Sequence, residues 1–266
     1  MIQDSTRRPD VVVYYCHGGG FSMGSSYFYL EFLLAWLTLL HRSGFSNPCI
    51  CALEYSLVPN ATYPTQLRET LAGYKYCLSL VRSSSQVCVS GDSAGGTLVL
   101  SLLLCLSDFS GKLRDSMPGL AVLISPWATI VSPQNRNTSS DYLDADSLKL
   151  YGSQYVGTKA SATDALLSPG SCKSIAWWRR ASPSLAWFFV YGAEEVFAPE
   201  TQDLVGLLKT AGEGGKGVEI KDQEEEGWVH AWPVVKLFLC ASEEERLSGL
   251  AGIVGFMSEK MGVDRR

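Results

Sequence analysis

A serine stands between small residues at the junction of two apolar segments. The stretch "VSGDSAGGTLVL" places Ser93 between Gly91 and Gly95, in a G-x-S-x-G pattern. A serine on a tight turn from a strand into a helix needs small neighbours two positions before and after it. Its hydroxyl then projects above the sheet, near the positive end of the helix. The pattern therefore predicts that Ser93 is a nucleophile.

A serine hydroxyl becomes a good nucleophile only when a base takes its proton and a carboxylate orients that base. The chain has three histidines. His17 belongs to a glycine run, and His41 ends a predicted helix, where a favourable interaction with the helix C-terminus explains it. His230, in "GWVHAWP", follows the last predicted strand, where the chain order serine, acid, histidine would place the base. We therefore predict His230 as the base.

The acid is expected after the next-to-last predicted strand, 185–192, one strand before the one that leads to His230. The stretch "VYGAEEVFAPE" offers Glu194, Glu195 and Glu200. Adjacent residues leaving a strand point in opposite directions, so Glu194 and Glu195 cannot both face the histidine. Spacing alone leaves the choice among the three open.

Three consecutive glycines follow the first apolar run, in "YYCHGGGF". Glycine loses more backbone entropy on folding than any other residue, so such a run needs a reason. Acyl transfer at Ser93 would develop negative charge on a carbonyl oxygen, and backbone N–H groups can stabilise that charge. Because glycine has no side chain, a ligand can approach the amide groups of such a run closely. The run and the amide of Ala94 are therefore predicted to form an oxyanion hole.

These residues need a scaffold of alternating strands and helices. Strands are predicted at 11–16, 49–55, 86–90, 120–125, 185–192 and 218–223, and helices at 27–41, 64–81, 94–107, 199–211 and 243–260. Continuously apolar strands indicate a parallel sheet covered on both faces, so we predict one doubly wound α/β domain over 1–266. The interval 127–184 is too long for an ordinary connection and is predicted to be an inserted cap, with a helix at Ser147 to Tyr155.

The charge and the cysteine content of the chain limit the kinds of partner that it can bind. The net charge is -5 and the basic residues form no stripe, so nucleic acid is a poor partner. Eight cysteines without a C-x-x-C pair argue against a metal site and suit a reducing, cytoplasmic location, although a longer version of the chain could carry a membrane anchor. The apolar runs in this chain are too short to span a bilayer. We expect no cofactor and a small-molecule ester as partner, with a homo-oligomer left open.

Paired motifs carry a resemblance to a known family. With "HGGGF" ahead of "GDSAGG", the chain resembles the hormone-sensitive-lipase group of α/β-hydrolases. The stretch "LEYSLVPNATYPTQL" is similar to the group's D-Y-R-L-A-P-E and the helix that follows, and "ISPW" is similar to its strand-end S-P. The stretches "YFYLEFLLAW" and "EEVFAPE" look like fungal members related to steryl-acetate hydrolases. The resemblance covers roughly 11–260 and implies the α/β-hydrolase fold.

The resemblance also implies roles for single residues. It makes Ser93 the nucleophile and His230 the base. It favours Glu195 as the acid, because "Glu195-Val196-Phe197" aligns with the family's D-P-L type turn, and leaves Glu194 second. It implies oxyanion donors at Gly19, Gly20 and Ala94, with Gly18 alongside them in the oxyanion hole.

The chain departs from the family at its start. Only sixteen residues precede His17, where the family carries cap helices and two leading strands. We expect these elements to be shortened or missing, which would leave strand 49–55 as an exposed edge.

The combined prediction is a serine carboxylic-ester hydrolase that works through an acyl-enzyme. Trp127 and Trp232 are predicted to line an apolar pocket, which suggests small acyl esters of lipophilic alcohols as substrates. An acyltransferase or biosynthetic enzyme with the same triad remains an alternative. A second alternative is a non-catalytic binding protein, like the plant hormone receptor that shares this fold but lacks the histidine.

Overall fold

The computed structural model describes residues 8–108, 116–213 and 217–262. Its strands are β1 (Val11–Cys16), β2 (Pro48–Leu53), β3 (Val87–Asp92), β4 (Leu120–Ile124), β5 (Ala186–Gly192) and β6 (Glu219–Glu225). Within the described ranges they form one parallel sheet in the order β2-β1-β3-β4-β5-β6. The predicted strands and the predicted α/β fold are confirmed.

Helices cover both faces of this sheet. They are α1 (Leu30–Arg42), α2 (Thr65–Leu80), α3 (Ala94–Asp108), α4 (Ala145–Val156), α5 (Ile175–Ala181), α6 (Ala198–Gly212), α7 (Trp232–Leu239) and α8 (Glu243–Met261). One core lies under α1, α7 and α8, and the other lies under α2, α3, α5 and α6. Successive strand residues alternate between these cores, as Val12 and Val13 do. Both faces are therefore apolar, which explains the continuous apolar runs.

The two edges of the sheet differ from its centre. Strands β1, β3, β4 and β5 are buried throughout, whereas the residues of β6 are either exposed or half-buried. Strand β2 forms the other edge, as expected for the segment 49–55. Because parallel strands end at the same side, the loops after β1, β3, β4 and β5 meet there.

Two helices were not predicted from the sequence. Helix α7 begins two residues after His230, with Pro233 in its first turn, where a missing N–H costs nothing. Its short apolar run does not distinguish helix from strand. Helix α5 lies within the interval 127–184 but packs against α3 and α6, so this part of the interval belongs to a helical layer of the sheet. Helix α4 contains the predicted helix at Ser147 to Tyr155.

None of the helices in the described ranges combines the length and the apolar character needed to cross a bilayer.

Candidate active site

The turn between β3 and α3 holds Ser93 in a backbone conformation that is rare for a side chain. Its φ is +52°, in the left-handed region. The Ser93 amide donates to the carbonyl of Ile124 at 3.0 Å, and its own carbonyl accepts the amide of Trp127 at 3.0 Å. A side chain at Gly95 would collide with the carbonyl of Cys16. Close packing of the turn against the strand ends therefore explains the small neighbours of Ser93.

Glu195 and His230 face each other in a buried position. The Oε1 atom of Glu195 lies 3.9 Å from Nδ1 of His230, and both side chains are almost fully buried. Neither atom has a hydrogen-bond partner within the described part of the chain. The distance exceeds a hydrogen bond, but catalytic hydrogen bonds are often long before substrate binds.

The other two candidate acids point elsewhere. Glu194 is exposed, and its carbonyl accepts the hydroxyl of Thr138 at 2.9 Å. The carboxylate of Glu200 accepts hydrogen bonds from Thr129 and Ser132 in the segment after β4. Of the three glutamates that the sequence offered, the structure brings Glu195 to the histidine.

A serine that directly follows β4 connects Glu195 to the loop that carries His230. Ser125 Oγ donates to Oε2 of Glu195 at 2.5 Å and accepts the amide of Ala231 at 2.9 Å. The amide of Gly192 also donates to Oε2, at 3.0 Å. Ser125 and Ala231 both have positive φ, 43° and 53°, which persists only where the surrounding contacts determine the backbone. In the sequence, "ISPW" carries only a similarity to the family, and no local signal predicts this role of Ser125.

Asp92 anchors the glycine run to the turn that carries Ser93. Its Oδ1 accepts the hydroxyl of Tyr15 at 2.7 Å and the amide of Gly18 at 2.9 Å, while Oδ2 accepts the hydroxyl of Tyr29 at 2.6 Å. Burial raises the pKa of Asp92, and the hydrogen bonds from the two tyrosines oppose that rise. Because its amide already donates to Asp92, the inclusion of Gly18 in the oxyanion hole was wrong.

The next two glycines lie beside Ser93 on the wall of a cavity. Gly19 has a φ of +108° and Gly20 a φ of +59°, conformations that glycine adopts without steric cost. A side chain on Gly19 would collide with the carbonyl of Met23. In the described ranges, neither amide donates to a protein acceptor. Both remain candidates for binding an oxyanion together with Ala94, the first residue of α3.

The cavity has a volume of about 310 Å³ and a mostly apolar lining. It is lined by Ser93, His230, Gly19 and Gly20 together with Met23, Phe28, Tyr142, Leu143, Leu148, Tyr151, Val234, Val235 and Phe238, among others. Its size lies at the lower end of the range for small-molecule sites. At its mouth, Phe28 and Phe238 contact each other with ring centroids 6.2 Å apart, and both are more than half exposed.

The two tryptophans predicted to line the pocket lie in the core instead. Trp127 is fully buried and stacks on Phe197 with ring centroids 5.6 Å apart. Trp232 is buried in the opposite core, with the Lys236 ammonium 4.5 Å from its ring centroid. The predictions for Trp127 and Trp232 are therefore wrong, because smaller apolar and aromatic residues supply the lining.

A family model described as "Steryl acetyl hydrolase" matches residues 3–237. The Schizosaccharomyces pombe protein mug81, a candidate steryl acetyl hydrolase, is 29% identical over 219 residues, which cover 76% of this chain and 56% of that protein. Human hormone-sensitive lipase is 29% identical over 133 residues, or 48% of this chain and 12% of the lipase. The chain thus spans about half the length of mug81 and a small part of the lipase.

The fold also matches solved structures. A hormone-sensitive lipase from a metagenome library superposes with a TM-score of 0.76 at 22% identity, covering 96% of this chain and 78% of that one. At 22% identity, this match supports the shared fold alone.

Proposed function

Because this chain belongs to the steryl acetyl hydrolase family, we propose that it hydrolyses small acyl esters of lipophilic alcohols through a serine-bound acyl-enzyme. Membership confirms the resemblance to the hormone-sensitive-lipase group and supports the proposal that the chain is a carboxylic ester hydrolase. The observation that carries the proposal is the convergence of Ser93, His230 and the glycine run on one apolar cavity, with Glu195 behind the imidazole.

In the proposed mechanism, Ser93 Oγ attacks the ester carbonyl while His230 accepts the hydroxyl proton. The imidazolium then protonates the departing alcohol, and water repeats the sequence to release the acid. Glu195 stabilises the imidazolium from the Nδ1 side. The present 3.9 Å separation would shorten as the imidazole gains charge, because a charge-assisted hydrogen bond is shorter and stronger than a neutral one.

Negative charge on the ester oxygen would be stabilised by the amides of Gly19, Gly20 and Ala94. Ala94 opens α3, so its amide lies at the positive end of a helix. Removing one such donor from an oxyanion hole typically costs about 3 kcal/mol of transition-state stabilisation. A benefit of this size explains why the chain keeps glycines with positive φ at this position.

The cavity supports a substrate with a small acyl group and a larger apolar alcohol. Its wall next to Ser93 includes Gly19 and Gly20, which have no side chains, whereas its mouth carries the exposed rings of Phe28 and Phe238. Apolar surface at the mouth would accept the part of an alcohol that does not fit inside. The family description names acetyl esters of sterols, which combine these two features.

A panel of p-nitrophenyl esters from acetate to palmitate tests this function. We expect the highest kcat/KM on acetate, and an activity loss on the order of a millionfold in Ser93→Ala. The matched control is Ser101→Ala, since Ser101 is buried within α3 and its hydroxyl has no hydrogen-bond partner among the described residues. Best activity on palmitate would contradict the acyl-size proposal. A folded protein without esterase activity would instead favour a non-catalytic binding protein.

A further inference from the structure

A short segment between β4 and α4 contacts both loops that carry the acid and the base. Residues 138–142, which we call the bridging segment, lie outside the central sheet. Thr138 Oγ1 donates to the carbonyl of Glu194 at 2.9 Å, and the amide of Asp141 donates to Thr138 Oγ1 at 3.0 Å. The segment is therefore held against the loop after β5, with Asp141 fixed relative to Glu194.

The carboxylate of Asp141 joins the two loops directly. Its Oδ2 accepts the amide of Val196 at 2.8 Å, and its Oδ1 accepts the amide of His230 at 3.2 Å. Val196 directly follows Glu195 in the chain. One side chain thus binds the backbone of the base and the backbone next to the acid.

Residues near Asp141 form further hydrogen bonds with the backbone around His230. The hydroxyl of Tyr142 donates to the carbonyl of His230 at 3.2 Å, and Ser125 Oγ accepts the next amide, that of Ala231, at 2.9 Å. Both peptide groups of the base are therefore bound by side chains from the segment that follows β4. Tyr142 also lines the cavity, so the segment links the cavity wall to the base.

We propose that Asp141 is a positioning residue that sets the separation of Glu195 and His230. This inference rests on the proposed function. The two oxygens of a carboxylate accept two amides at a fixed spacing, which no neutral side chain of similar size can do. Ser125 would still connect the loops without Asp141, so the loss would loosen the acid–base geometry rather than unfold the site. A misplacement of about 1 Å in an active site can cost about 100-fold in rate.

A matched pair of variants tests the role of Asp141. Asp144 lies in the adjacent turn and also accepts a backbone amide, that of Ser147 at 2.8 Å, where it caps α4. In the described ranges, its hydrogen bonds reach neither triad loop. We expect Asp141→Ala to lower kcat on p-nitrophenyl acetate by about 100-fold with KM changed by less than about twofold. We expect Asp144→Ala to keep kcat within about threefold of the unsubstituted chain, since it loses a helix cap and local hydrogen bonds from Asn137 and Ser147 but no contact with either triad loop.

Hydrogen exchange provides a readout that does not depend on activity. The amides of Val196 and His230 should exchange faster in Asp141→Ala and should be unchanged in Asp144→Ala. If the unsubstituted chain hydrolyses no ester, the proposed function fails, while the exchange rates still decide whether Asp141 holds the loops. Equal kcat in the two variants, or unchanged exchange at both amides, would overturn the proposal.

Asp141→Asn serves as a second variant in case the alanine variant does not fold. Its side chain has the same shape but only one oxygen, so one of the two amides would face an NH₂ group. We expect an intermediate loss of about tenfold in kcat, as one hydrogen bond to a charged group is removed. Unchanged kcat in this variant would also count against the positioning role.

Discussion

The two sides of the candidate active site are built in different ways. On the nucleophile side, Asp92 binds Tyr15, Tyr29 and the amide of Gly18, so its carboxylate has three hydrogen bonds. On the acid–base side, Oε1 of Glu195 and Nδ1 of His230 face each other at 3.9 Å without a bond. The first side is preorganised by tight turns at strand ends, whereas the second depends on side chains from a distant segment. Backbone dipoles that are fixed before the reaction stabilise the negative charge that develops in the transition state. The Glu195–His230 pair, in contrast, can form its hydrogen bond when the imidazole becomes charged.

Apart from loss of the Ser93 hydroxyl itself, the largest effect is expected on the acid–base side. Glu195→Gln should lower kcat on the order of 10⁴-fold, because an amide cannot stabilise the imidazolium and favours the wrong tautomer. Glu194→Gln is the matched control, since Glu194 is adjacent but exposed, and its activity should stay near that of the unsubstituted chain. The measurement is steady-state hydrolysis of p-nitrophenyl acetate by both variants and the unsubstituted chain. Equal activities in the two variants would show that Glu195 does not act in the proposed mechanism.

A smaller effect is expected from the glycine run. Gly19→Ala should lower kcat by about 100- to 1,000-fold, because the new side chain would collide with the carbonyl of Met23 and displace an amide donor. The suitable comparison is Gly44→Ala, at a φ of +105° where a side chain meets open space, so that backbone strain is similar but no donor moves. The ratio of the two kcat values isolates the oxyanion contribution. If Gly44→Ala lost as much activity, the effect at Gly19 would be one of stability alone.

Local patterns predicted much of this molecule. The strands followed from continuous apolar runs, and the site around Ser93 followed from glycines that a tight turn requires. The chain order of serine, acid and histidine located His230 and narrowed the acid to three glutamates, because the ends of parallel strands converge at one edge. The choice of Glu195 among the three came from the family resemblance. These signals are readable because each depends on residues that are neighbours in sequence or on a general rule of topology.

The parts that were missed depend on long-range contacts. Asp141 has no motif, and its role exists only because folding brings it to the amides of Val196 and His230. Trp127 was misassigned because a large apolar ring looks the same in a sequence whether it fills a core or lines a pocket. Gly18 was misassigned because its amide meets a carboxylate far along the chain, at Asp92. Helix α7 was missed because a short apolar run does not reveal its period.

A crystal structure after reaction with a short-chain fluorophosphonate tests the joint action of the two sides most directly. We predict phosphorus bonded to Ser93 Oγ, with the phosphonyl oxygen accepting the amides of Gly19, Gly20 and Ala94. We also predict that His230 Nδ1 moves to about 2.8 Å from Glu195, the length of a charge-assisted hydrogen bond. A folded protein with unmodified Ser93, or an adduct whose oxygen points away from the glycine run, would contradict the shared site.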